Sequence, residues 1–490
     1  MNKTKEISVI GSGFASLSVA TTLADMGNSV TVFEKNSTPG GRARQFVEQG
    51  FTFDMGPSWY WMPDVFENYF NRFGKSTSDY YELIRLDPSY RIHYGLDDSM
   101  DIPASLEELY GLFESIEKGS SEKLKAFLND ASIKYNVGMG DMVQKPGDSI
   151  LEFANWTVLK NSLKLDLLKS IEVEIESKFK HPKLQQLLKF PVLFLGAKPS
   201  KTPALYSLMN HADLSLGTWY PLGGMHKIVE GMYELALEKG VKFEFDTPIN
   251  SIIIENNKAS GVVSGSKTFK SEIVVAGADY EHVETNLLPP NKRQYSTKYW
   301  NSRTLAPSSL IFYLGVNKKL KNLLHHNLFF DKEFEKHAEE IYDIPKWPTD
   351  PLFYVCAPSV TDSTVAPDGS ENLFILIPLA PGIEDTSERR EQLFKKVMER
   401  LEKLTHNSIN ENIVYNRSYC INDFIEDYNS FKGNAYGLAN TLKQTAFLKP
   451  KLKSKKVNQL YYTGQLTVPG PGVPPSLISG QIVADLIQNK

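Results

Sequence analysis

The sequence predicts a mixed α/β protein: a discontinuous, doubly wound sheet domain with a second domain and a helical lobe inserted into it. Three observations carry this. A strand, a glycine turn, a helix and a second strand follow one another within residues 7–33. Residues 65–215 or so are rich in Leu, Lys, Glu and Phe and poor in glycine, as helices are. Leu460 to Lys490 reads again as strand, Gly/Pro loop and helix.

Taken in order, Ile7-Ser-Val-Ile10 is a short apolar run suited to a buried strand. Phe14 to Met26 places Leu17, Ala20, Leu23 and Ala24 at helical spacing, and Gly27 stops that helix. Val30-Thr-Val-Phe33 is the second strand, so the unit is a right-handed crossover. Ser105 to Lys118 and Leu159 to Lys180 read as helices of the inserted lobe. After Gly217 the character changes back. A helix is expected over Lys227–Lys239 and a strand over Val241–Phe245. A hairpin is expected over Ile249–Glu255 and Ala259–Val263 around Asn256-Asn257, and a buried strand at Ile273–Ala276. The expected division is 1–75 with 217–290 and 455–490 as the sheet domain, 76–216 as the helical lobe, and 291–454 as a substrate domain. No internal repeat or low-complexity linker interrupts the chain.

Composition excludes several classes. The chain has 490 residues, 41% hydrophobic and 23% charged, with a formal net charge of −4, so no basic field invites nucleic acid. Cys356 and Cys420 are far apart and suggest neither a disulfide framework nor a metal site. Of the nine histidines, His325-His326 is the one close pair, and adjacent side chains do not readily share a tetrahedral metal; no metal is expected. Met1 to Glu6 is polar and no apolar run approaches the ~18 residues of a membrane span. The expected location is cytoplasmic.

The chemistry sits in four motifs. Gly11-Ser-Gly-Phe-Ala-Ser16 follows a strand and opens a helix, as the dinucleotide fingerprint requires. Gly11 makes the turn and Gly13 admits the pyrophosphate to the backbone, whereas Ser16 stands where the third glycine is expected. Glu34 closes the second strand, placed to accept hydrogen bonds from ribose hydroxyls. Thr38-Pro-Gly-Gly-Arg-Ala-Arg44 couples a pliant backbone to Arg42, suited to a diphosphate, with Arg44 a weaker candidate. Phe51-Thr-Phe-Asp-Met-Gly-Pro-Ser-Trp59 brings a rigid turn at Gly56-Pro57 beside Trp59, Tyr60 and Trp61. Tyr462-Thr-Gly-Gln-Leu-Thr-Val-Pro-Gly-Pro-Gly-Val-Pro-Pro475 leads into a helix N-terminus, where backbone amides meet a negative or electron-accepting group.

Together with WYPLGGM at 219–225 and AGAD at 276–279, these motifs resemble the bacterial-type phytoene desaturases of the amine-oxidase-like flavoprotein superfamily, along the whole chain. The resemblance implies one non-covalent FAD. Gly11, Gly13, Glu34 and Arg42 would hold its ADP half, with Phe14, Ala15, Lys35 and Gly41 beside them, and the backbone of Ile249 would bind the adenine. Gly56, Pro57, Ser58, Asp279, Gly464, Gln465, Val473 and Pro474 would complete the cofactor site toward the flavin ring. It implies a hydrophobic polyene substrate, desaturation of phytoene toward lycopene, and quinone or oxygen as electron acceptor. It also implies peripheral attachment to the inner face of the cell membrane, with Leu187–Leu195 and Lys183, Lys189 and Lys198 as a contact surface. A core helix with snorkelling lysines is the alternative for that segment. No catalytic acid or base stands out. A second G-x-G-x-x-G and a C-x-x-x-x-C pair are absent, against an NAD(P)H domain and a disulfide reductase. Rival readings are a desaturase of a hydroxylated or thirty-carbon precursor, another amine-oxidase-like flavin oxidase, and a non-enzymatic prenyl-lipid escort protein.

Overall fold

A computed structural model describes residues 4–149, 152, 169–441 and 444–489. The first sheet is five-stranded and parallel, in the order Leu460–Tyr462, Ile273–Ala276, Glu6–Ile10, Ser29–Phe33, Lys242–Glu244. Its strands come from both ends and the middle of the chain, as the distant motifs require. The four residues Ile7–Ile10 are buried and lie between two neighbours, so an almost purely apolar strand is stable there. The helix Phe14–Asp25 crosses back over the sheet and is buried over nearly its whole length. Its outer side is covered by the C-terminal helix Val473–Gln488. That approach depends on Gly480, whose added Cβ would lie 2.4 Å from the carbonyl oxygen of Ala15. Ser18 Oγ donates to the carbonyl of Leu477 at 2.8 Å and ties the two ends together.

The expected hairpin forms between Ser251–Glu255 and Lys258–Ser264, with Asn256 and Asn257 both at positive φ, as a two-residue turn demands. Residues Leu159 to Leu168 of the expected lobe helix lie outside the described residues; Ile171–Lys178 is helical. Ser105 caps the helix Leu106–Ile116 through its side chain.

A seven-stranded sheet forms the second domain, in the order 413–419, 308–316, 371–379, 353–356, 326–329, 90–95, 98–102. Its strands alternate between two apolar faces. Leu310, Phe312, Leu373, Ile375 and Ile377 pack on the helix Ser387–Thr405, while Ile311, Tyr313, Phe374 and Leu376 face the opposite way, toward the first domain. Two differences from the sequence reading arise here. The strands Tyr90–Gly95 and Asp98–Ile102, placed by sequence in the helical lobe, extend this sheet instead, because His93 and its neighbours pair with Asn327–Phe329. The surface expected to face a membrane is largely core. Leu187, Leu188 and Val192 are fully buried, and Lys183, Lys189 and Lys198 are ion-paired with Asp98, with Glu172 and Glu176, and with Asp343. The alternative of a core helix describes this segment. Among the described residues no helix is long and apolar enough to cross a membrane.

Candidate functional site

One cavity of about 490 Å³, within the range of small-molecule sites, runs from the glycine turn of the first sheet to the inner face of the second. All but one of the cofactor-site residues named from the sequence line it: Gly11, Gly13, Phe14, Ala15, Glu34, Lys35, Gly41, Arg42, Gly56, Pro57, Ser58, Ile249, Asp279, Gly464, Gln465, Val473 and Pro474. Arg44 does not. It is turned onto Asp427 at 2.7 Å and over the ring of Tyr428.

The near end is a cradle. The helix Phe14–Asp25 starts at Gly13 without a side-chain cap or an acidic residue in its first turn, so its first backbone N–H groups are left for an anion. A Cβ on Gly13 would meet no protein atom within 4 Å; it would enter the cavity. Gly41 passes against this turn, its Cβ position 3.3 Å from Gly13 Cα, at φ +54°. Gly56 is required because a side chain there would collide with the carbonyl of Arg42.

Glu34 is 4% exposed and already accepts from Ser12 N–H (2.8 Å) and Oγ (2.7 Å) and from Asn36 N–H and Nδ2, both 2.9 Å. These donors fix the carboxylate at the cavity wall. A ribose hydroxyl would share this carboxylate with the Ser12 hydroxyl.

Arg42 is held by residues that sequence reading missed. Its Nη2 donates to Ser430 Oγ (3.0 Å) and to the Asn434 carbonyl (3.3 Å), and its guanidinium lies over Tyr428. With its amide oxygen toward the guanidinium, Gln465 accepts from it at 3.1 Å. Arg42 Nε is buried without a partner, a donor left for a ligand. Nothing in the segment 424–434 signals this role by sequence, because its contribution is a carbonyl, a hydroxyl and a ring brought in by folding. Asp279 accepts from the N–H of Glu281, His282 and Phe431. Burial pushes its carboxyl up to about 6, and nearby Arg42 pulls it back toward the ionised form.

The C-terminal loop behaves partly as expected. Gly464 is at φ +106°, its N–H donates to Ser479 Oγ, and its Cβ position is open apart from Ala15 at 3.9 Å. The helix start is poorer in donors than the motif suggests. Pro474 and Pro475 carry no N–H, so Val473 is left as the main donor of the first turn.

Ser16, the departure from the fingerprint, has a structural answer. A Cβ on Gly277 would lie 1.9 Å from Ser16 Oγ and 3.2 Å from the Ile10 carbonyl. The small residue needed for close approach of helix and strand has moved from the helix to the facing turn. Gly277→Ala is therefore expected to cost about 1–3 kcal/mol of stability, and Ser16→Gly in the same chain to recover part of it. Denaturant unfolding of the four proteins measures this; equal losses in both backgrounds would place the conflict elsewhere.

The far end is apolar. Trp59, Trp61, Met62, Phe190, Ile311, Leu328, Phe330, Phe334, Ile341, Leu352, Phe353 and Leu376 wall it. The charged lining residues Glu34, Lys35, Arg42, Asp279 and Asp427 belong to the cradle. His337 is the nearest thing to a base in the chamber, but its Nε2–H donates to the Pro378 carbonyl (3.0 Å) and its Nδ1 accepts from Leu352 N–H (3.1 Å). Both nitrogens are occupied, and burial holds the ring neutral, its pKa down to about 4.

Comparison with known proteins agrees with this geometry. Residues 14–488 match the family described as flavin containing amine oxidoreductase. A carotenoid 3,4-desaturase of Haloarcula japonica is 41% identical over 99% of this chain and 98% of its own. A zeta-carotene-forming phytoene desaturase of Myxococcus xanthus is 30% identical over 98% and 93%. A 4,4'-diapophytoene desaturase of Staphylococcus aureus is 32% identical over 98% of both. Among solved structures, an oxidoreductase from Methanosarcina mazei superposes with a TM-score of 0.66 at 16% identity, covering 99% of this chain and 100% of that one. A Rab GDI from Plasmodium falciparum gives 0.53 at 12%, covering 86% and 89%. Similarity at that level speaks for the fold alone.

Proposed function

The chain belongs to the family of flavin-containing amine oxidoreductases, and from that premise we propose that it desaturates a linear carotenoid, taking phytoene toward lycopene. The observation that carries this reading is the single cavity joining a dinucleotide cradle to an apolar chamber. Bound there, FAD supplies the two-electron acceptor needed to remove hydrogen from adjacent carbons. The chain's own residues do the rest. Gly11, Gly13 and the first turn of the helix at Phe14 receive the diphosphate, with Arg42 as its cation, and Glu34 and the Ile249 backbone take the ribose and adenine. Trp59, Phe190, Phe330 and the inner sheet face align an apolar chain and keep water out.

Among the described residues the chamber offers no carboxylate to pair with an ammonium, which speaks against an amine as substrate. The engaged His337 suits a reaction that needs no strong base from the protein. The relative named for a 3,4-desaturation favours a second reading: a modified carotenoid, hydroxylated or of thirty carbons, oxidised nearer its end. A substrate of either kind is nearly insoluble and has to be drawn from a bilayer. We therefore place the enzyme peripherally at the cytoplasmic face of the membrane, with quinone or oxygen reoxidising the cofactor.

The test is incubation of the FAD-loaded protein with phytoene, a hydroxylated lycopene or a thirty-carbon precursor in liposomes, with quinone or oxygen present, followed by chromatography. New conjugated double bonds are the expected result, and which precursor reacts decides between the two readings. Unchanged carotenoids beside turnover of an amine would sink both.

A further inference from the structure

Outside the cavity, the strand pairing assembles a cluster that the sequence does not announce. His326 at the start of one strand lies directly opposite Cys356 on its antiparallel neighbour, so the two side chains share a face. His325 precedes the strand proper, and its ring folds back edge-on to His326, centroids 4.5 Å apart. One nitrogen from each imidazole and the Cys356 sulfur lie within 4.8 Å of one another, and all three residues are buried.

The hydrogen bonds leave this group incomplete. His325 Nδ1 is 3.0 Å from Thr361 Oγ1 and His326 Nδ1 is 2.6 Å from the Tyr354 hydroxyl, while Nε2 of both rings is buried with no partner. If each Nδ1 carries the proton and donates it to its hydroxyl, each Nε2 is a bare lone pair. That is the arrangement in which an outer hydroxyl fixes the tautomer and orientation of a metal-ligating imidazole. Further restraint comes from the rings around them. Trp59 stacks on His326 with centroids 4.0 Å apart, and Tyr220 packs on His325 at 4.4 Å.

We infer that His325, His326 and Cys356 form a binding site for one thiophilic cation of the zinc class, set behind the wall of the apolar chamber. Two imidazoles and a thiolate are a ligand set for zinc or univalent copper and a poor one for magnesium or calcium. Binding forms three metal–ligand bonds and breaks the Cys356 S–H bond, whose proton passes to solvent; nothing is oxidised or reduced. The cation would pin the strands His326–Phe329 and Phe353–Cys356 together and hold Tyr354 and Trp59, both cavity-lining, in place. A role in wall rigidity makes no demand on which substrate is used, so the site can be tested without any assay of desaturation.

The experiment is elemental analysis of the flavin-loaded protein, produced in zinc-supplemented medium without a histidine tag and dialysed against metal-free buffer. About one zinc per chain is expected in the native protein and less than about a tenth in Cys356→Ser. Near-ultraviolet circular dichroism and retained flavin report whether the variant is folded. Cadmium titration of the native protein reads the same site without a variant, through an ultraviolet sulfur-to-cadmium absorption saturating at one equivalent. Native protein that retains no zinc and shows no such absorption overturns the inference. So does zinc retained equally by folded Cys356→Ser.

Discussion

Gly13→Leu is expected to give a folded protein that no longer holds flavin. Gly13 has ordinary extended backbone angles, φ −73° and ψ 176°, so a larger residue costs no backbone strain. Its Cβ would meet no protein atom within 4 Å and would project into the cradle where the first helical N–H groups are offered. The side chain therefore competes with the cofactor and not with the fold. FAD affinity should fall by at least about 100-fold, or ~2.8 kcal/mol, with desaturation lost in proportion. Thermal unfolding of the flavin-free protein should stay within about 2 °C of the parent, the shift of a surface-sized change in a chain this long. Flavin fluorescence titration and a melt of the two apoproteins decide it. Normal flavin content in the variant would mean that the diphosphate lies elsewhere.

Arg42→Met should weaken FAD binding by about 10–100-fold, the worth of a buried charge-assisted contact. A second signature separates this from simple loss of packing. Asp279 has its carboxyl raised to about 6 by burial, and Arg42 is the largest of the groups that restrain it, ahead of the Phe431 and His282 N–H groups. Without the guanidinium it rises further. A carboxyl raised above its unfolded value contributes stability that is fully present at low pH and lost as pH climbs through the folded pKa. The flavin-free variant should therefore lose stability more steeply than the parent between about pH 5 and 7, and Asp279→Asn in the same chain should flatten that slope. An unchanged pH profile would uncouple the two residues.

The local parts of the site were legible in the sequence because their chemistry is local. A strand–turn–helix start, a carboxylate ending the next strand and a Gly-Gly-Arg turn each need only neighbouring residues and backbone angles. Ser16 was readable as a departure but not as a compensated one, since the space it takes is given up by Gly277, far along the chain. The setting of Arg42 was hidden for the same reason: Tyr428, Ser430 and Asn434 bring it a ring, a hydroxyl and a carbonyl that carry no motif. The helical lobe was over-read. Residues 90–102 have strand pairing only because an edge of the second sheet stands beside them.

By itself, then, the sequence determined the cradle end: a discontinuous parallel sheet, its glycine turn, and the residues that line the cofactor site from both termini. Only the tertiary structure decided the chamber facing it. Ile311, Leu328, Tyr354 and Leu376 reach one wall from four different strands, and the alternation that turns them inward is set by the register of their pairing. The same register carries Cys356 to His326 across a gap in sequence that spacing rules cannot bridge. Side-chain direction along a strand follows from the backbone, but which strand lies opposite is paid for by long-range contacts, and those exist only once the chain has folded.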